Sequence, residues 1–301
     1  MGEFYDGIMG LVVADAVGVP FKHRGRDGFK AKDMTGYGTY KLPIGTWSDD
    51  SSLTLATVES LARLGKINLD DIMRNYFNWL NFGEFTPYGK AFDVGSTTKA
   101  AIYRFEHGAS PKDCGGYTTM DNGNGSLMRI LPMAFLNCSE YNIYTVSALT
   151  HAHIISQFAC LLYVRIAKNL LSGQELCEAI EESMKHIPLH LMDDFGRLTV
   201  IGSNPRNRIK STGYVLDTLE AALWSLLKTD NYKDCILTAV NLGGETDTIA
   251  AVAGGLAGIY YGVGGDKGIP EEWINQIARK DYIKDLCVAF EKKFNLNEVQ
   301  S

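Results

Sequence analysis

Thirteen stretches of this chain repeat apolar residues at helical spacing, and none alternates apolar with polar residues across a strand length. That pattern predicts an all-α fold built as a multi-helix bundle. Helices are expected at 2–18, 50–64, 69–81, 91–107, 124–137, 141–150, 154–172, 173–186, 212–228, 231–242, 247–262, 270–279 and 280–293. Several carry their own punctuation: Asn68 ahead of Leu69-Asp70-Asp71, breaks at Gly65 and Gly173, and Pro270 opening Glu271-Glu272. Longer irregular stretches are expected at 19–48, 82–90, 108–123 and 187–211, and loops of that size in a helical protein often line a cleft. No linker or repeat divides the 301 residues, so one domain over 1–301 is expected.

Composition narrows the function. A hydrophobic share of 46% is that of a globular protein, and a net charge of −6 argues against nucleic acid or an anionic membrane as partner. The one basic run, Lys22-His23-Arg24-Gly25-Arg26, reads as a solvated loop. Six cysteines show neither CxxC pairing nor metal-finger spacing and several sit in apolar patterns, so they read as reduced, buried and structural. With no basic n-region at the start, a cytoplasmic protein is expected. The stretch from Ile249 to Tyr261 is short and glycine-rich for a membrane span, and its Gly254 and Gly258 suggest close helix packing instead.

Two acidic clusters stand out, about 200 residues apart, each opening a helical run. Ser48, Asp49 and Asp50 precede Leu53, Leu55, Ala56, Val58 and Leu61; Glu245, Asp247 and Thr248 precede Ile249, Ala250, Val252 and Ala253. Either cluster alone reads first as a helix cap, since Ser, Thr and Asp accept the orphan amides and suit the positive end of the dipole. Both, however, hold more carboxylate than a cap needs, and Gly243-Gly244 permits a tight turn before the second. Brought together, they form a hard oxygen site of the kind Mg²⁺ or Mn²⁺ prefers, with room for two ions.

Three polar turns accompany them. Asn122-Gly123-Asn124-Gly125-Ser126 leads into a predicted helix, where glycine backbone and a helix start suit a phosphate as well as an ordinary turn. His151 and His153 lie at a junction of two helices, and their spacing keeps them from chelating one ion on one helix face. His151 reads as a cap or as a donor to a substrate oxygen. Gly213-Tyr214 opens another helix, with Tyr214 suited to packing or to stacking on a base. No G-x-S-x-G, P-loop or HExxH motif is present, which favours metal-activated water over covalent catalysis.

In order along nearly the whole chain, Ala14-Asp15-Ala16-Val17-Gly18-Val19-Pro20, Thr46 to Ser51, Asp121 to Pro132, Leu149 to His153, Ser211 to Val215 and Asn241 to Gly258 resemble the ADP-ribosylglycohydrolase family. The resemblance implies an orthogonally packed all-α fold with two divalent cations, Mg²⁺ or Mn²⁺, at the base of a cleft. It implies cleavage of the glycosidic bond joining ADP-ribose to a protein side chain or a related small molecule. Carried over, Ser48, Asp49, Asp50, Glu245, Asp247 and Thr248 become metal ligands, with Asp49 or Asp50 orienting the attacking water. Asn122, Gly123, Asn124, Gly125 and Ser126 line the ADP-ribose path, near His151, Gly213 and Tyr214.

Two positions depart from the family pattern. Glu245 stands where aspartate is usual, and Lys22 where many members carry a glutamate. A lysine is neither a carboxylate base nor a ligand, and loss of one general base removes ~10²–10⁴ in rate. A slow enzyme, another base, an altered substrate and a binding protein without turnover all remain compatible with Lys22.

Overall fold

A helix that is apolar on every side belongs in an interior, and this chain has two. The computed structural model describes residues 2–296; residue 1 and residues 297–301, at the two ends of the single-domain expectation, lie outside the described residues. In chain order the helices are α1 (Glu3–Gly18), α2 (Asp49–Leu64), α3 (Leu69–Phe82), α4 (Ser96–Glu106), α5 (Glu140–Ala148), α6 (Ile154–Leu171), α7 (Leu176–Met184), α8 (Met192–Phe195), α9 (Val215–Leu227), α10 (Tyr232–Val240), α11 (Thr246–Tyr261), α12 (Glu271–Gln276) and α13 (Lys280–Lys293). The described residues contain no β-strand, only isolated bridges, so the all-α expectation holds.

The two central helices are α1, with 14 of 16 residues buried, and α11, with 13 of 16. They pack on each other along their length. The contact is close because both sides are glycine: a Cβ on Gly254 would lie 2.4 Å from Ala14 Cβ and 2.5 Å from Gly10 O. Around this pair sit α2 with α3 and α13 on one flank, α10 and α9 on another, and α6 with α5 and α7 on a third. By length and apolarity Glu3–Phe21, which is α1 with the 3₁₀ turn that follows it, and α6 satisfy the requirement for a membrane span, but both are mostly buried among other helices, as core helices are.

Four expectations need correction. Residues 124–137 form two 3₁₀ turns, Leu127–Arg129 and Leu131–Phe135, not an α-helix. Pro132 interrupts the run, since it lacks an amide proton and its ring collides with the preceding turn. The expected helix 91–107 begins only at Ser96, because Asp93 adopts a left-handed conformation (φ 56°) that ends any helix reaching it. The stretch 187–211 is largely short helical turns rather than open loop. Of the cysteines, all six are free, but Cys177 on α7 is exposed and Cys138 half-buried.

Candidate active site

The N-termini of α2 and α11 meet. Thr248 Oγ1 lies 3.3 Å from Asp50 Oδ2, across 198 residues of sequence. Asp15 on α1 makes the junction possible. Its Oδ2 accepts from the Ser48 amide (2.9 Å), the Ser51 amide (3.1 Å) and the Ser51 hydroxyl (2.5 Å), while its Oδ1 lies 2.8 Å from the Ser48 hydroxyl. A buried carboxylate from the central helix thus takes up the orphan donors at the start of α2. The side chain of Ser48 also caps that helix, accepting from the Asp50 amide.

Of the carboxylates at the start of α11, Asp247 Oδ1 accepts from the Thr248 amide at 2.7 Å. Glu245 occupies the cap position of α11 without a side-chain bond to the helix. A positive φ at both Gly243 and Gly244 makes the tight turn before it, and Gly244 exchanges hydrogen bonds with the Lys22 loop: His23 N donates to Gly244 O and Gly244 N to Arg24 O. That pairing brings Lys22 into the cluster. Its Nζ lies 2.7 Å from Asp247 Oδ1, 2.8 Å from Glu245 Oε2 and 3.2 Å from Asp93 Oδ2, the last an ion-pair contact without hydrogen-bond alignment. Lys22 is only 5% exposed, so the solvated-loop reading of this residue is wrong. Arg26 is also engaged, donating to the carbonyls of Leu242, Arg206 and Ile209. The run looks solvated in sequence because its partners arrive from distant segments.

Burial dominates the electrostatics. It raises Asp50 to about 8, with the Asp15 charge adding to the effect, and raises Asp49 and Asp247 well above the usual carboxylate range. Burial alone would lower Lys22, but the Asp247, Asp93 and Glu245 carboxylates hold its ammonium well above the ordinary value. Asp93 likewise resists its burial and stays low because Lys22, then the Asp247 carboxyl, then the Tyr40 hydroxyl stabilise its charge.

Three carboxylate oxygens of the cluster have no hydrogen-bond partner: Asp93 Oδ2, which faces the Lys22 ammonium, and Asp50 Oδ1 and Asp247 Oδ2, both in wholly buried residues. Buried anionic oxygens without donors are costly. Together with Asp15, one carboxylate oxygen from each of Asp50 and Asp247 falls within a 4.8 Å cluster. Asp15 already has its donors. The donor set of Asp50, Asp247 and the hydroxyls of Ser48 and Thr248 therefore suits a hard divalent cation, which would satisfy both orphan oxygens.

Above this cluster opens a cavity of about 410 Å³, within the range of small-ligand sites. Asp49, Lys22, Asp93, Glu245 and Thr248 form one side, and Gly123, Asn124, Gly125, His151 and Gly213 the other. The two polar turns are tied together, Asn124 N donating to Gly213 O and Val215 N to Asn122 O. Not all expected lining residues reach the cavity. The Asn122 side chain is held by Ser156 and His153, and Ser126 Oγ is buried, receiving Ser147 and Cys160. Tyr214 packs against the core rather than lining the cavity.

His151 is buried, and its burial followed by the Arg129 charge lowers it to about 3, so it is neutral at physiological pH. Arg129 donates to Thr150 Oγ1 at 2.8 Å, and that hydroxyl lies 2.8 Å from His151 Nδ1. The arrangement that satisfies all three has Thr150 donating to Nδ1, leaving an Nε2–H at the cavity wall. His153 instead caps α6, accepting from the Ile155 amide.

Asp93 and the Ser96-Thr97-Thr98 segment also line the cavity and were not singled out in the sequence. Treating 91–107 as continuous helix hid them; the signal was the Asp93-Val94-Gly95-Ser96 turn.

The model of the ADP-ribosylglycohydrolase family matches residues 3–300. The chain is similar to an ADP-ribosylarginine hydrolase, Tri1, of Pseudomonas putida (strain GB-1), at 32% identity over 287 residues, spanning 93% of this chain and 75% of that one. It is similar to the ADP-ribosyl-[dinitrogen reductase] glycohydrolase of Rhodospirillum rubrum at 32% identity over 283 residues, 90% of this chain and 89% of that one. A solved ADP-ribosylglycohydrolase-related protein complex shares the fold with a TM-score of 0.80 at 27% identity, over 97% of this chain and 98% of that one. A match of that length and kind makes this chain a member of the ADP-ribosylglycohydrolase family of hydrolases.

Proposed function

We propose that this protein hydrolyses the glycosidic bond between ADP-ribose and a protein side chain, arginine before other acceptors, with the help of Mg²⁺ or Mn²⁺. The observation that carries the reading is the pair of buried, partnerless oxygens, Asp50 Oδ1 and Asp247 Oδ2, in residues that lie behind the cavity-lining Thr248 and Lys22. The choice of arginine rests on the similarity to an ADP-ribosylarginine hydrolase.

In this reading Asp50, Asp247, Ser48 and Thr248 hold the cation, with Asp49 beside them. A bound cation supplies Lewis-acid chemistry. Asp49 is the carboxylate of the α2 start that faces the cavity, and it orients the attacking water toward the anomeric carbon. Carboxylates around that carbon stabilise an oxocarbenium-like transition state. On the opposite wall, His151 Nε2–H donates to a substrate oxygen, and Gly123, Asn124 and Gly125 let the backbone approach the ADP-ribose. Asp15 and Lys22 position these groups. The continuous apolar core supports treating the chain as one folding unit, and the six free cysteines support a reducing, cytoplasmic setting.

Release of free ADP-ribose from ADP-ribosyl-arginine and ADP-ribosyl-serine peptides, with Mg²⁺, Mn²⁺ or EDTA, tests this. Metal-dependent release that favours arginine and disappears in Asp50→Ala is expected. Binding of ADP-ribose with no release from either peptide would overturn it.

A further inference from the structure

Lys22 Nζ has three carboxylate neighbours: it donates to Asp247 Oδ1 at 2.7 Å and makes ion-pair contacts with Glu245 Oε2 at 2.8 Å and Asp93 Oδ2 at 3.2 Å. This side of the acidic cluster is therefore already served by a cation that the chain itself supplies. The other side is not. Asp50 Oδ1 and Asp247 Oδ2 are buried without a partner, next to the hydroxyls of Ser48 and Thr248. Asp247 stands between the halves: Oδ1 accepts from Lys22, its carboxyl also meets that of Asp93, and Oδ2 has no aligned donor.

We infer that the centre takes a single divalent cation, on the Asp50 side, and that the Lys22 ammonium stands in for a second. This rests on the metal-dependent reading above. A second dication bound to Glu245, Asp247 and Asp93 would need the oxygens that Lys22 occupies and would sit against a like charge. Nor is the lysine loosely placed. Its loop is held by the paired bonds His23 N to Gly244 O and Gly244 N to Arg24 O, and its own carbonyl accepts from Thr39 Oγ1 at 2.7 Å. A tethered ammonium keeps Asp93, Glu245 and Asp247 together as a dication would. Unlike a dication, it does not exchange with solvent and holds no water for reaction. Lys22 thus sets the composition of the centre, one tethered ammonium in place of one exchangeable ion.

The test is Mn²⁺ stoichiometry on the full chain, by elemental analysis after equilibrium dialysis, with electron paramagnetic resonance of the bound ions. Wild type is expected to bind one Mn²⁺ per chain with the six-line signal of an isolated ion. Lys22→Glu should bind two, with the broadened spectrum of an exchange-coupled pair; two-metal sites hold their ions ~3.5–4 Å apart. Lys22→Gln, which adds no charge, should admit the second ion more weakly and covers the case in which Lys22→Glu fails to fold. Two coupled ions in wild type would overturn the inference while leaving the metal-dependent reading intact. No bound Mn²⁺ in wild type but binding in the variants would also overturn it. No Mn²⁺ in any of the three would instead sink the metal-dependent reading.

Discussion

Gly18, the last residue of α1, lies against the backbone of Asp247 in the first turn of α11: a Cβ there would come within 2.4 Å of Asp247 Cα and 2.6 Å of its nitrogen. The obstacle is main chain, which cannot rotate aside as a side chain would. The place of Asp247, and through it of Lys22, is set by this contact between helices.

Gly18→Ala should therefore push the two helices apart. Overpacking of this kind costs ~1–3 kcal/mol, and Mn²⁺ affinity should fall with stability. Denaturant midpoints and Mn²⁺ titration check both, with Gly25→Ala as control, since nothing lies within 4 Å of a Cβ at Gly25. A Gly18→Ala protein as stable as wild type would contradict the contact.

Asp50→Asn separates metal binding from folding. It removes a buried charge that burial and Asp15 already disfavour, so in EDTA the variant should melt no lower than wild type. Its Mn²⁺ affinity should drop by more than the ~10–100-fold typical of losing an outer partner. Calorimetric titration and thermal melts with and without EDTA give both readings. Unchanged affinity would remove Asp50 from the ligand set.

His151 gives a pH signature. Its folded value is lowered to about 3 against 6.5 for the free side chain, so below 6.5 the unfolded chain takes up a proton that the folded one refuses. Its contribution to stability is complete above 6.5 and is lost as pH falls toward 3. One pKa unit corresponds to ~1.4 kcal/mol, giving a loss of roughly 2 kcal/mol between pH 8 and pH 5. Denaturant melts across that range should show this loss in wild type relative to His151→Gln. Parallel curves would place the imidazole in water.

Arg197 bridges two buried acids, reaching Asp217 Oδ1 at 2.7 Å and Glu220 Oε2, while Asp217 Oδ2 accepts from Thr212 beside the Gly213-Tyr214 turn. Arg197→Met would leave both carboxylates uncompensated. Breaking a fully buried pair costs ~3–5 kcal/mol. Because Arg197 is 29% exposed, ~2–3 kcal/mol is expected here. The loosened turn should also raise KM more than it lowers kcat. Steady-state kinetics with a melt decides, and an unchanged melt would make the bridge superficial.

Much of this was legible in the residues themselves. The helices 50–64 and 69–81 could be read because caps, breaks and apolar spacing agree at one place, as at Asn68 and Gly65. The acidic clusters could be read as hard ligands because residue type alone carries that chemistry. What no local pattern carries is which distant groups meet. Lys22 sits in a basic run that looks like any solvated loop until Asp93 and Asp247 reach it from 71 and 225 residues away. Asp93 fits a helical spacing and only its left-handed backbone removes it from the helix. Asn122 and Ser126 belong to the right segment, but His153 and Ser156 hold the one side chain and Ser147 and Cys160 the other, partners that no local pattern reveals.

The crossing of α1 on α11 also has a temporal meaning. Tyr232, the first residue of α10 beside α11, donates to Gly10 O across 222 residues, so α1 finds its cover far along the chain. At ~5–20 residues per second, roughly 10–45 s separate the synthesis of these two segments. Throughout that interval an almost wholly apolar helix exists without its mate, so closure of this core waits on the synthesis of a segment more than 200 residues downstream.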